Sequence, residues 1–331
     1  MKKSVLLIIF FASVNSFFAK SDFPTSRPDA DKGATIVNIS LYVMDIESID
    51  NKKQSFNIDL IVSFSWKDER LKGVEGNFPL SDVWYPNVQL FNMRDVETRF
   101  PKIVKINKDG TVEYTQRYYA VLRTRLDFTE FPFDVQKLPV TFVAFGVSPD
   151  ELKFNFLKAG GSKRFSISDW EVAPAGVKIS TVKANVFGDD AQEEIVRPRL
   201  DYVFTARRHV HFYLWKVLAP MLVILFLSWA VFWIDPSQVG AQIGVSGTSI
   251  LSLIAFLYKL DNILPPVSYL TRMDHFIYTS LLLVFLAYLE ALTSTSIALR
   301  GKKEFALKLD FVFRIIYPIL FLIVFLIYWV F

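Results

Sequence analysis

The chain has 331 residues, a formal net charge of +4, no cysteine and three histidines. Without thiols it forms no disulfide and no thiolate metal site, the histidines lack ligand spacing, and no basic run offers a footprint for nucleic acid. A mean hydropathy of +0.31, with 52% apolar and 16% aromatic residues, excludes an ordinary soluble protein; the apolar excess lies after residue 211 and the charges mostly before it, so a soluble half precedes a membrane half.

Residues 1–19 read as a secretory signal, with Lys2 and Lys3 as its basic region and Val5 to Phe11 as its apolar core. Cleavage is expected after Ser16 or Ala19. An uncleaved anchor is the alternative, although the apolar run is short for a span. Either way the following domain, 20–208, is exported. After a polar lead-in with Pro24, Pro28 and Gly33, the pattern has period two. Phe56, Ile58, Leu60, Val62, Phe64 and Trp66 alternate with Asn57, Asp59, Ser63 and Ser65, which predicts a long half-buried strand. Further alternating runs occur at 36–44, 111–125, 137–145, 172–186 and 198–207, with turn signals at Asp50-Asn51, Asp109-Gly110, Gly160-Gly161 and Gly188-Asp189. Many strands with short connections predict a β-sandwich.

The membrane half, 209–331, contains four apolar runs at about 212–234, 239–259, 275–298 and 310–331, each near the roughly 20 residues that a helix needs to cross a bilayer. Arg300, Lys302, Lys303 and Lys308 cluster between the third and fourth runs, in a loop of about ten residues. By the positive-inside rule that loop is cytoplasmic, which places the sandwich and the C-terminus outside. The signal and the charge rule thus give one topology. His209, His211, Phe212, Tyr213, Trp215 and Lys216 suit the interface at the entry to the first run. Pro220 lies inside that run, where neighbouring helices can satisfy the carbonyl it frees.

The second run, Gln238 to Lys259, differs from the others. Gln238, Gln242 and Ser246 recur every four residues, and Gly244, Gly247, Thr248, Ser249 and Ser252 crowd its first half. Polar side chains facing lipid are costly, so this helix either packs closely against neighbours or lines water. Ordinary packing in a four-helix bundle is the plainer of the two accounts.

Phe131-Pro132-Phe133-Asp134, taken bare, is a turn. Its place in an exported sandwich followed by four spans resembles the pentameric ligand-gated ion channels, the Cys-loop receptor superfamily. The cysteine positions that bracket this tetrapeptide in animal members are here Thr124 and Leu138, as in the bacterial type without the bridge. Trp66-Lys67-Asp68-Glu69-Arg70-Leu71, Trp84-Tyr85-Pro86 with Asn92, Arg207-Arg208 before the first span, Pro220, and Leu264-Pro265 after the second span resemble the family at matching separations. Leu218 to Trp233 looks especially like the bacterial proton-gated channels. The resemblance covers essentially the whole mature chain.

It implies a β-sandwich extracellular domain followed by a four-helix transmembrane bundle, assembled as a homopentamer around a central pore. The partners implied are four identical subunits, the lipid membrane, permeating ions and a small-molecule agonist or protons. No cofactor, metal or nucleic acid is expected. The pore-facing positions fall on Ala241, Gly244, Thr248, Leu251, Ala255 and Tyr258, spaced as one stripe of an α-helix. Leu251 would form an apolar ring able to gate by dewetting. The agonist positions fall on Phe91, Phe145 and Phe187, facing Ile61, Tyr118 and Tyr119 of a neighbour. Edge packing of the sandwich is the plain account of these phenylalanines. Lacking tryptophan at position 145, the cage suits an apolar or aromatic ligand as well as an amine. Coupling between the domains would use Asp50, Phe133, Asp134, Arg208 and Pro265, with Arg208 paired to Asp134 and to Asp50, and Phe133 against Pro265.

The expected function is therefore a ligand-gated channel of the bacterial inner membrane that passes monovalent cations. An anion-selective channel of the same family and a non-conducting, membrane-anchored ligand-binding protein are the alternatives. No Ser-His-Asp set, phosphate-binding glycine loop or paired catalytic carboxylates point to an enzyme. The histidine of the proton-gated relative's pore helix is replaced by Leu253, which leaves His209, His211 and His275 as the titratable candidates.

Overall fold

The computed structural model describes residues 23–162, 164–184, 195–260 and 267–330. The signal, Phe187 and Pro265 lie outside the described residues. Eleven strands, numbered β1 to β11, fill the first half. β1 (Thr35–Asp50), β2 (Ser55–Lys67), β7 (Thr111–Arg123), β8 (Val135–Ala144), β10 (Trp170–Ala184) and β11 (Ile195–Arg208) are the long ones. They lie where alternation predicts them. The short strands β3 (Gly76–Pro79), β4 (Val88–Leu90), β5 (Met93–Thr98) and β6 (Ile103–Ile106), with β9 (Leu152–Gly161), carry too little alternation to be read from the sequence.

Two sheets face each other. One runs β3-β6-β7-β2-β1-β9, with β5 also on β7; the other runs β10-β11-β8-β4. β1 and β9 pair in parallel, while the remaining ladders are antiparallel. The inward residues of β2 (Phe56, Ile58, Leu60, Val62, Phe64 and Trp66) are all buried. At roughly 25 cal/mol per Å² of apolar surface, such a row holds the sheets together.

Among the described residues, four helices are long and apolar enough to cross a membrane: His211–Trp233, Val239–Leu260, Arg272–Leu299 and Lys303–Trp329. The third opens on a capping box, in which the Thr271 hydroxyl and the Asp274 carboxylate exchange backbone hydrogen bonds. The fourth starts at Lys303, two turns ahead of the apolar run at 310. The expected ten-residue loop shrinks to residues 300–302, and Lys303 and Lys308 become helical. Hydropathy marks where a helix turns apolar, whereas helicity continues through its amphipathic first turns. Gly301, at φ 79°, makes the bend between the third and fourth spans.

Candidate functional site

In the second span the faces separate cleanly. Ala241, Gly244, Thr248, Leu251, Ala255 and Tyr258 are all exposed on the protomer, with Leu251 68% and Tyr258 77% accessible. Gln242, Ser246, Ser249, Leu253 and Leu260 are buried on the opposite face. The polar residues that distinguish the sequence of this helix therefore divide by role. The Gln242 side-chain oxygen accepts a 2.6 Å hydrogen bond from Thr295 Oγ1 of the third span. Ser246 and Ser249 donate to the carbonyls of Gln242 and Val245. These groups fasten the helix to its bundle. On the exposed face Thr248 donates to the Gly244 carbonyl at 2.7 Å, which leaves its oxygen lone pairs outward. A Cβ added at Gly244 would meet nothing within 4 Å, so that position is open space and not a close helix contact.

Below this helix, Asp235 pairs with Lys303 at 2.7 Å. The Lys303 ammonium and the Ser237 amide hold the Asp235 carboxyl below its ordinary range. The acid just ahead of the second span is thus ionised but neutralised locally.

The domain junction centres on Arg208, at the end of β11. Its guanidinium binds both oxygens of Asp134, at 2.7 and 3.0 Å, with both side chains nearly inaccessible. It also stacks 3.9 Å from the Trp170 ring and lies 4.9 Å from Phe131. Gln136 donates to Asp134 Oδ2 at 2.6 Å. Asp50 does not join this group. It is bound by Lys53 across its own turn, and Asn51 instead takes the outer Arg208 nitrogen at 3.3 Å. The turn closes on Lys53 because a three-residue contact orders fewer groups than reaching into the buried junction.

The partners of Phe133 among the described residues are the Trp329 ring at 5.7 Å and the Arg272 guanidinium at 5.1 Å. Arg272 was not picked out from the sequence and is a hub. Its backbone amide donates to the Thr129 carbonyl. Its side chain donates to Glu130 at 3.1 Å and to the Tyr328 carbonyl at 2.9 Å. Tyr269, in the segment before it, accepts from the Phe128 amide at 2.9 Å. Phe131 is buried and meets Tyr213 of the first span edge-to-face at 4.9 Å. One tetrapeptide thus touches the first, third and fourth spans.

In the sandwich, Phe91 and Phe145 bring their rings to 6.4 Å at the edge formed by β4 and β8. Phe91 is exposed and Phe145 half-buried. Ile61 and Tyr119 lie on the outer face of the β2–β7 ladder, where Tyr119 donates to Glu47 at 2.6 Å and Asp59 binds Arg117. Tyr118 leaves β7 on the other face. It lines a cavity of about 540 Å³ with Trp66, Tyr85 and Tyr114.

A large sandwich, a buried Arg–Asp junction and four candidate spans are the arrangement that the comparisons with known proteins bear on. The profile of the neurotransmitter-gated ion-channel ligand binding domain matches residues 19–210, and that of the corresponding transmembrane region matches 217–305. The chain belongs to this family of ligand-gated ion channels. A proton-gated ion channel of Gloeobacter violaceus is 27% identical over 305 residues, covering 89% of this chain and 82% of the relative. The mouse gamma-aminobutyric acid receptor subunit rho-1 and the rat glycine receptor subunit beta are each 26% identical over 285 residues, covering 80% and 81% of this chain. The chain spans 57% and 56% of the length of those two animal subunits. The channel is a multi-pass membrane protein whose N-terminal sandwich is extracellular, and its family is one of channels and not of enzymes.

Proposed function

We propose that five copies of this chain surround a pore lined by Ala241, Gly244, Thr248, Leu251, Ala255 and Tyr258, and that agonist binding between neighbouring sandwiches opens it to monovalent cations. The observation that carries the reading is the two-faced second span. Its six stripe residues are exposed, while its glutamine and two serines are committed to the bundle. The exposed stripe is uncharged, so hydroxyls at Thr248 and ring faces at Tyr258 are its polar features. The negative face of an aromatic ring favours cations. Agonist binding is assigned to Phe91 and Phe145 on one protomer and Ile61 with Tyr119 on the next, with Phe187 and Tyr118 completing the set. The aromatic pair suits an apolar or aromatic ligand. Movement would then pass through Arg208–Asp134 and Phe133 to Arg272 and the segment around Pro265, with Asp50 bracing its own turn through Lys53.

A second reading is anion selectivity, favoured by Lys259, which is exposed beside Tyr258. Currents recorded in oocytes against a panel of amines, aromatic acids and pH steps test the function. Reversal potentials in a NaCl gradient decide the ion, since a shift toward the chloride potential would overturn the cation assignment. Absence of current from surface-expressed protein against every agonist of the panel would favour a non-conducting binding protein.

A further inference from the structure

Two acids inside the membrane half belong neither to the pore stripe nor to the junction. Glu290 lies in the third span and Asp310 in the fourth. Glu290 is 5% exposed and Asp310 is fully buried. By helix rise, they sit roughly 14 Å and 10 Å from the cytoplasmic ends of their helices, with Asp310 at the residue that opens the fourth apolar run. Their carboxyl groups lie close enough to interact, and none of the four oxygens meets a hydrogen-bond donor among the described residues. A carboxylate only accepts hydrogen bonds, so two ionised groups in this position would repel and leave every lone pair unsatisfied. A proton held by one carboxyl turns it into a donor to the other.

The surrounding charges do not supply an alternative. Arg314, one turn along the fourth span, donates to the Phe232 carbonyl at 2.9 Å and lies 5.1 Å from the Trp233 ring. Lys303 is bound to Asp235, and Lys308 is exposed on the same helix. Tyr317 directs its hydroxyl to the Leu225 carbonyl. The buried polar groups of the first and second spans, Ser228, Gln242, Ser246 and Ser249, are neutral, and Ser294 of the third span donates to the Ala306 carbonyl. The position is also unusual for its helix. The fourth span buries only Ala306, Asp310, Tyr317 and Val324 in its main helical stretch, so an acid is one of the few groups that hold it to the bundle.

We propose that Glu290 and Asp310 form an intramembrane proton-binding site, in which one proton shared by the two carboxyls clamps the fourth span to the third. Releasing it to water leaves two carboxylates facing each other in a buried, donor-free site and drives the helices apart. The inference rests on reading the four helices as membrane spans, not on the pore or the agonist.

Infrared spectroscopy of the full channel in lipid nanodiscs tests it without any need for conduction. The wild type should show a protonated-carboxyl stretch at neutral pH that disappears at strongly alkaline pH, together with a lowered melting temperature. Glu290→Gln and Asp310→Asn keep shape and a donor. Each should lose the band and hold its melting temperature across the same pH range. Should either variant fail to assemble, wild type grown with carboxyl-labelled glutamate and, separately, aspartate decides alone, because the band must shift with one of the labels. A wild-type channel with no protonated carboxyl at neutral pH overturns the proposal. So does a band that survives undiminished in both variants or that moves with neither label.

Discussion

At the scale of single residues, the junction and the pore make opposite demands. Arg208 and Asp134 are removed from water and satisfied by each other, by Gln136 and by the Trp170 face. Removing one partner strands a buried charge. Arg208→Ala should therefore cost about 3–5 kcal/mol, seen as reduced surface expression and a lower melting temperature. Arg208→Met combined with Asp134→Leu should restore most of it, because no charge is then left unpaired. Normal gating by a well-expressed Arg208→Ala channel would remove the pair from the coupling route. Leu251, by contrast, is 68% exposed on the protomer, and the role proposed for it exists only in a ring of subunits. Leu251→Ala should shift agonist sensitivity to lower concentration by about tenfold, within the 5–150-fold range of allosteric couplings; unchanged sensitivity would place the gate elsewhere. Asp127, just ahead of the junction tetrapeptide, is held below the ordinary carboxylate range by the Thr129 hydroxyl and then its amide. A depressed native value means the contact stabilises fully above about pH 4 and is lost as pH falls through that value. Thr129→Val should melt below wild type at neutral pH and converge on it in acid. Parallel curves would show that the contact does not depend on the carboxylate.

Among elements, the end of the fourth span joins the domains through aromatic rings. Trp329 meets Phe133 of the extracellular turn at 5.7 Å, Phe276 of the third span at 5.7 Å and Phe325 of its own helix. Aromatic pairs of this kind contribute about 0.5–1.5 kcal/mol each beyond their buried area. Trp329→Ala should weaken the link, raising the agonist concentration needed for half-activation while protein still reaches the surface. An unchanged dose–response curve would mean that the third span carries the signal alone, through Arg272. The pore helix shows how one element serves two surfaces. Its hydroxyls bond back to carbonyls one turn earlier, so they can sit in a span without unsatisfied donors.

For the whole molecule, the protomer leaves its most distinctive face unfilled. Beside the stripe, Gly247, Leu251 and Ile254 with Leu282 and Phe285 border an apolar depression of about 750 Å³ between the second and third spans. Such a surface suits a neighbouring subunit. The native mass of the detergent-solubilised channel should equal five chains. Because the chain has no cysteine, single cysteines at Thr248 or Gly244 can be labelled without background. Both should be modified by small water-soluble thiol reagents when the channel is open, with block of current, whereas cysteine at buried Ser249 should resist. Equal reactivity at all three positions would mean that the faces are misassigned.

Period-two alternation, four apolar runs and the charge between the last two were enough to set sandwich, spans and topology. Each depends on which face of a local element meets water, and that is written in neighbouring residues. That Ala241 to Tyr258 share one face follows from 3.6-residue geometry, whereas the family resemblance, and not the spacing, singles that face out as the pore stripe. Glu290 and Asp310 also carry a sequence signal, since an ionisable residue within a span already points to a role. The remainder was decided by chain folding. Asn51 rather than Asp50 beside Arg208, Arg272 as a hub, and Trp329 against Phe133 join residues far apart in sequence. Their meeting depends on how the sandwich rests on the bundle. The tertiary structure likewise turned Gln242 inward to Thr295, because a glutamine in a span finds a partner only where another helix passes.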